Sequence, residues 1–343
     1  MLVALATGCA DTVVSTGTVR PADTAAPSES GPVEGSGPPT TGLTTTTTST
    51  TVPPTTTSTS TTSTSTTSTT TTTVPPVSMD CAEGLAFGES MFPRCRVVAL
   101  YGNDSTSVLG VLGEQPPAEA VDRLQAVVEG WRNSDRPIQG AFELIATIAT
   151  AAPGASGNYR SRSSPERVQR YLDVVDEAGL ILILDIQPGR SDFLSEVRHY
   201  EEFLRLPNVH VALDPEWRVR DDQAPGGGLV GQVDAWEVNA VAEYLAAIVA
   251  EEELPDKLLV VHQFQIRMIT DKASLVEPEG ITLTIHMDGF GTRDQKLETY
   301  RLVHVDEPWN NGFKLFYDED IDMYQPDEVL SLVDPVPDLV TYQ

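Results

Sequence analysis

Three observations predict an α/β fold, a (β/α)8 TIM barrel, over residues 96–343. Eight short apolar runs alternate with longer amphipathic segments, as in a parallel sheet with crossover helices. The alternating part spans roughly 250 residues, the usual size of such a barrel. Polar residues gather where the apolar runs end and not where they begin.

The runs predict strands at Val97–Asn103, Ile138–Ala146, Leu180–Gln187, Val209–Trp217, Leu258–Gln265, Ile281–Asp288, Phe313–Asp318 and Leu339–Tyr342. Between them, seven crossover helices are expected. Pro116-Pro117 opens the first, Ser164-Pro165 offers an N-cap followed by proline at the first helical position, and Thr292-Arg-Asp-Gln295 fits a capping box. The fourth helix carries Val238, Val241, Leu245 and Ile248 on one stripe, with Glu237, Glu243 and Glu251 placed elsewhere. An eighth helix is missing from the pattern after the last strand, or is supplied by residues outside this chain.

Composition changes sharply near residue 80. Residues 40–73 are almost wholly Thr and Ser, broken by Val52-Pro53-Pro54. Such a tract has nothing to bury against the entropy of ordering its backbone, so residues 10–80 are expected to be a disordered Thr/Ser/Pro-rich stalk. It resembles O-glycosylated stalks; a plain flexible linker is the other reading. Ahead of it, the apolar start running to Thr7-Gly8-Cys9 resembles the end of a bacterial lipoprotein signal, with Cys9 the lipidated residue. Ala6 replaces the usual Leu and a basic region is lacking, so the signal is expected to begin upstream of Met1. Three cysteines are an odd count, and lipidation of Cys9 leaves Cys81 and Cys95 to pair in an oxidising compartment. By chain entropy, a loop of that size contributes about 3 kcal/mol. The expected domains are thus 1–9, 10–80, and a barrel with its N-terminal disulfide loop at 81–343. The expected location is extracellular, with the membrane reached through the lipid anchor alone, since no apolar run is long enough to span it.

The formal net charge is −28, and residues 1–80 hold one base, Arg20, and five acids, so nearly all of it belongs to the barrel. Repulsion disfavours nucleic acid and anionic lipid as partners. A neutral glycan remains compatible, and a monomer is expected.

In a (β/α)8 barrel, alternate side chains of each strand face the axis, and chemistry sits at the strands' C-terminal ends. On strand six, Ile281, Leu283, Ile285 and Met287 form the helix-facing side, which turns Thr282, Thr284, His286 and Asp288 inward. On strand four, Ala212, Asp214 and Glu216 face the axis. The same parity points Tyr101, Asn103, Glu143, Asp185, Gln187 and Asp318 inward, while strand five is divided between a His262 face and a Gln263/Gln265 face. A single polar residue ending a strand is commonly a cap or a loop anchor. Convergence at seven strands points to a pocket.

Within it, Leu213-Asp214-Pro215-Glu216-Trp217 carries most weight. Carboxylates at i and i+2 on a strand lie on one side and raise one another's pKa, leaving one protonated. Glycoside hydrolysis needs such a pair. Glu216 is the candidate acid, with Asp214 or Asp318 its partner. Trp217, Trp309, Tyr101 and Tyr317 offer flat faces for sugar rings.

Leu180–Arg190 (LILILDIQPGR), Ala212–Trp217 (ALDPEW), His286–Gly289 (HMDG), Phe316–Asp320 (FYDED) and Val333–Gln343 (VDPVPDLVTYQ) resemble the glycoside-hydrolase-like barrels of actinobacterial lipoproteins, over about residues 96–343. The resemblance implies the barrel and its cell-envelope location more than a reaction. Asp214-Pro-Glu216 is also similar to the Asp-x-Glu pair of barrel muramidases. A strand-four glutamate is the usual acid of the large retaining glycosidase clan, but that clan has Asn where this chain has Pro215, and Glu where it has Asp318.

Three functions follow: a two-carboxylate enzyme acting on envelope carbohydrate, a barrel that only binds glycan or scaffolds the envelope, and a metal-dependent hydrolase drawing on His262, His286 and the surrounding acids. The first needs no cofactor and no metal. Neither a Gly-x-Ser-x-Gly elbow nor a phosphate loop occurs, and Pro225-Gly226-Gly227-Gly228 reads as a flexible rim loop.

Overall fold

The structure is a computed structural model and describes residues 75–306 and 309–343. Cys9 and the tract through residue 74 lie outside the described residues. Among those described, no helix is long and apolar enough to cross a membrane.

Eight parallel strands close on themselves. They are β1 (Arg96–Gly102), β2 (Ile138–Ala149), β3 (Ile181–Ile186), β4 (Val209–Leu213), β5 (Lys257–His262), β6 (Ile281–Met287), β7 (Asn310–Leu315) and β8 (Leu339–Tyr342). Each pairs with its neighbours in chain order, and β1 pairs with both β2 and β8. Closure leaves no free edge in this ring.

Six of the seven crossovers are α-helical. They use α1 (Pro117–Glu129), α2 (Pro165–Ala178), the short α3 (Phe193–Val197) and α4 (Glu201–Leu204), α5 (Ala235–Glu252), α6 (Arg293–Val303) and α7 (Pro326–Leu332). The expected starts are present: Ser164 accepts from the Arg167 amide, and Thr292 and Gln295 form a capping box. The fifth crossover departs from expectation, because residues 263–280 form two 3-10 turns, Ile266–Met268 and Lys272–Ser274, and no α-helix. Polar groups hold it instead, with Lys272 donating to Gln263 Oε1 at 2.7 Å and to the Val303 carbonyl. On α5, Glu237 is buried and not solvent-facing; it accepts from the Phe193 amide and pairs with Arg218 at 3.0 Å.

Two apolar layers result. Outward residues such as Val98, Leu184, Val211 and Leu283 pack under the helices, while inward residues such as Val97, Ile181, Leu258 and Leu339 fill the lower barrel. The lower layer is sealed by the loop closed by the Cys81–Cys95 disulfide, which inserts Met91 and Phe92. Residues 77–80 also lie against the barrel: the Val77 amide donates to Glu129, and the Gly140 amide donates to the Met79 carbonyl at 2.8 Å. The folded part therefore begins before residue 81.

Candidate functional site

The alternation that puts aliphatic groups inside the lower barrel puts ionisable groups inside its upper end. Tyr101 from β1, Glu143 from β2, Asp185 from β3, His262 from β5, His286 from β6 and Lys314 from β7 all point inward and are buried, with Asp214 and Asp288 one residue beyond β4 and β6. Strand five is thereby settled. His262 faces the axis, and Gln263 is turned into the following loop, where it donates to the carbonyls of Gln265 and Ile266.

His262 is the hub. Its Nε2 lies 2.7 Å from Glu143 Oε1, and its Nδ1 lies 3.0 Å from Asp288 Oδ2. Both ring nitrogens face carboxylates, so both carry protons and the ring is an imidazolium. Burial opposes that charge, but the Glu143 and Asp288 carboxylates outweigh burial and raise His262 well above the usual histidine range. His286, its neighbour in register, behaves oppositely. Burial and the charge of His262 depress it well below that range, so it is neutral. Its Nε2 bonds Thr341 Oγ1 at 2.6 Å, and its ring lies against the backbone of β7. A Cβ on Gly312 would fall 2.0 Å from His286 Nδ1, which is why glycine occupies that position.

The acids differ by depth. Asp185 Oδ2 accepts from the Tyr101 hydroxyl at 2.8 Å; burial pushes its pKa up to about 6, against the opposing pull of His262. Asp214 caps the turn Pro215–Trp217 by accepting from the Glu216 amide at 3.1 Å. Burial and then the charge of Asp185 push its carboxyl far above the usual carboxylate range, which favours its protonated form. Glu216, carried on that turn, is half-buried. Burial and then the charge of Asp288 push it up to about 7. The turn is braced from behind, where the Gly231 amide donates to the Glu216 carbonyl at 2.6 Å. A Cβ on Gly231 would lie 2.5 Å from three carbonyl oxygens of residues 215–218.

Other expected site residues lie elsewhere. Asp318 is three residues past the end of β7 and exposed, so it does not join the axial cluster as expected. The residue of the same parity inside the strand is Lys314, whose Nζ sits 3.3 Å from the centroid of the Tyr101 ring. The strand lies three residues earlier than the expected Phe313–Asp318, so its axial end is Lys314, which shares the inward parity of Asp318. Tyr317 is exposed, lies 5.7 Å from the Tyr342 ring, and is covered by Arg123. Trp217 is half-buried on the Glu216 turn, and Trp309 packs against the outer core. Asn103 is a loop anchor, donating to the Ile145 carbonyl and accepting from the Ser105 amide, both at 2.8 Å. Gln187 accepts from the Ala149 amide and donates to Tyr101 at 3.4 Å, so it supports the site from its edge. In the FYDED segment the deeply placed acid is Asp320, which pairs with Lys296 at 3.0 Å and accepts from the Phe316 amide.

The upper barrel thus gathers Glu143, Asp185, Asp214, Glu216 and Asp288 around two cations, His262 and Lys314. With more acids than cations in a buried space, part of the set must hold protons. Such a site can donate a proton from one carboxyl and accept one at another. No protein-family model matches the chain, and comparison with curated proteins likewise returns no match.

Proposed function

We propose that the barrel is a glycoside-hydrolase-like enzyme acting on carbohydrate of the cell envelope, with Glu216 as general acid and Asp288 as its carboxylate partner. The observation that carries this reading is the contrast between the two groups. Glu216 is half-buried and has its pKa raised to about 7, so it holds a proton close to neutral pH, whereas Asp288 accepts a hydrogen bond from His262 Nδ1. Glu216 protonates the departing glycosidic oxygen. Asp288, its Oδ1 without a hydrogen-bond partner among the described residues, activates water or attacks the anomeric carbon. Asp214 is displaced from the partner role, since burial favours its protonated form and one of its oxygens already accepts from the Glu216 amide. Tyr101 and Asp185 orient the sugar, and Trp217 offers it a flat edge.

The Thr7-Gly8-Cys9 segment and the Thr/Ser tract support a lipid-anchored, extracellular placement in which the barrel stands off the membrane and reaches wall glycan. Incorporation of a labelled fatty acid into the wild-type chain and not into Cys9→Ser tests this.

For the reaction, purified full-length protein is assayed on wall glycans and on aryl glycosides. Glu216→Gln is expected to lower kcat on natural linkages by about 10²- to 10⁴-fold and to lose much less on aryl glycosides, whose leaving groups need no proton. The wild-type rate should fall as pH rises through about 7, where Glu216 loses its proton. Equal loss on both substrates would remove Glu216 from the acid role. Glycan retention without product in either protein would make the barrel a binding module.

A further inference from the structure

We infer that the axis of the barrel carries a divalent-cation site formed by Glu143, Asp185 and His262. One ligand atom from each of these three lies within 4.8 Å of the others, and all three side chains are buried. They come from β2, β3 and β5, so three rigid strands fix their positions, and no loop closure is needed to assemble them.

Two further observations point to a ligand. First, Glu143 Oε2 and Asp185 Oδ1 are buried and have no hydrogen-bond partner among the described residues, although both side chains are fully buried. An unsatisfied carboxylate oxygen inside a protein is destabilising, and a bound cation removes that cost. The other oxygen of each group is already engaged, Glu143 Oε1 by His262 and Asp185 Oδ2 by Tyr101. Asp185 keeps its bond to Tyr101 whether or not a cation is bound, whereas Glu143 exchanges its bond to His262 Nε2 for the cation. Second, His262 has the support expected of a metal-bound imidazole. Asp288 accepts from its Nδ1 at 3.0 Å, which fixes the tautomer and directs Nε2 towards the two carboxylates. When the cation binds, the Nε2 proton leaves to solvent and the nitrogen lone pair takes its place, while the Nδ1 proton stays on its bond to Asp288.

His286 is not a ligand in this arrangement, because Nε2 is taken by Thr341 and Nδ1 is packed against Gly312. Two carboxylates and one imidazole form a borderline-hard set that suits Zn²⁺ or Mn²⁺ better than Ca²⁺, which takes oxygen ligands. The site goes beyond the glycosidase reading and does not depend on it: the Nδ1 bond that supports Asp288 is kept in both states.

The test uses full-length protein stripped with chelator, then dialysed separately against Zn²⁺ and Mn²⁺ at neutral pH, with bound metal measured by elemental analysis and affinity by calorimetry. One ion per chain is expected for at least one of the two metals. Glu143→Gln and Asp185→Asn should abolish stoichiometric binding, and Asp288→Asn should weaken it by about 10- to 100-fold. Circular dichroism on each variant identifies any that fail to fold. Asp288→Asn, which leaves the three ligands in place, is the control if the ligand variants do not fold. Substoichiometric binding of both metals to the wild type overturns the site, as does unchanged affinity in Asp288→Asn. Binding is read without substrate, so its failure leaves the glycosidase reading standing, and the reverse also holds.

Discussion

The two ends of the barrel interior are built from the same eight strands by the same alternation, yet they are opposite chemical environments. The lower end is apolar and sealed by Met91 and Phe92 from the disulfide loop. The upper end is packed with acids, two histidines and a lysine, and several of its polar atoms have no hydrogen-bond partner among the described residues. Side chains at the base stabilise the fold by leaving water. Those at the top cost stability through desolvation and mutual repulsion, and they persist only where partners compensate. Apolar burial is thus concentrated at one end and desolvated ionisable groups at the other, on one rigid support.

Three substitutions probe that contrast. The largest effect is expected for His262→Ala, which leaves Glu143 and Asp288 buried without the cation between them. Removing one member of such a group costs about 3–5 kcal/mol, measurable by chemical denaturation. A loss below about 1 kcal/mol would mean that the upper end is wetter than its burial implies. Next comes Met91→Ala at the base, where a buried side chain is replaced by a cavity at about 3 kcal/mol. This variant should lose stability equally from pH 5 to pH 8, because nothing titratable is altered. A pH-dependent loss would couple the two ends.

The smallest effect is expected for Glu216→Gln and has the opposite sign at high pH. The Glu216 carboxyl has its pKa raised to about 7 in the folded chain, so it binds its proton more tightly there than in the unfolded chain. Its contribution is fully present below the unfolded pKa and is lost as pH rises through about 7. Glutamine does not titrate. The variant should therefore match the wild type near pH 4 and exceed it above pH 7 by about 1–2 kcal/mol, the half-open position being partly screened by water. Melting curves at both pH values read this directly, and a variant less stable at pH 8 would contradict the raised pKa.

Much of this contrast was legible in advance. Period-two alternation on strand six separated Ile281, Leu283, Ile285 and Met287 from Thr284, His286 and Asp288, because one residue of shift would reverse every side chain and expose the apolar set to the axis. The inward placement of Tyr101, Glu143, Asp185 and Asp214 followed by the same parity. Prolines and capping residues marked the starts of α1, α2 and α6, since these signals are local. The fifth crossover was misread because its polar anchors, Lys272 with Gln263 and the Val303 carbonyl, act across the fold and leave no helical period to detect.

What the amino-acid sequence determined by itself was therefore which residues face the axis and at which end the polar ones collect; both are set by local backbone geometry. Only the tertiary structure decided which of them meet. Glu143 and His262 lie 119 residues apart in the chain and come within 2.7 Å when the strands close around the axis. Closure also decided where strands stop. β7 ends at Leu315, opposite Tyr342 on β8, which leaves Lys314 in the cluster and Asp318 outside in water. Strand ends and cross-axis partners depend on hydrogen bonding between distant segments, which no local pattern records.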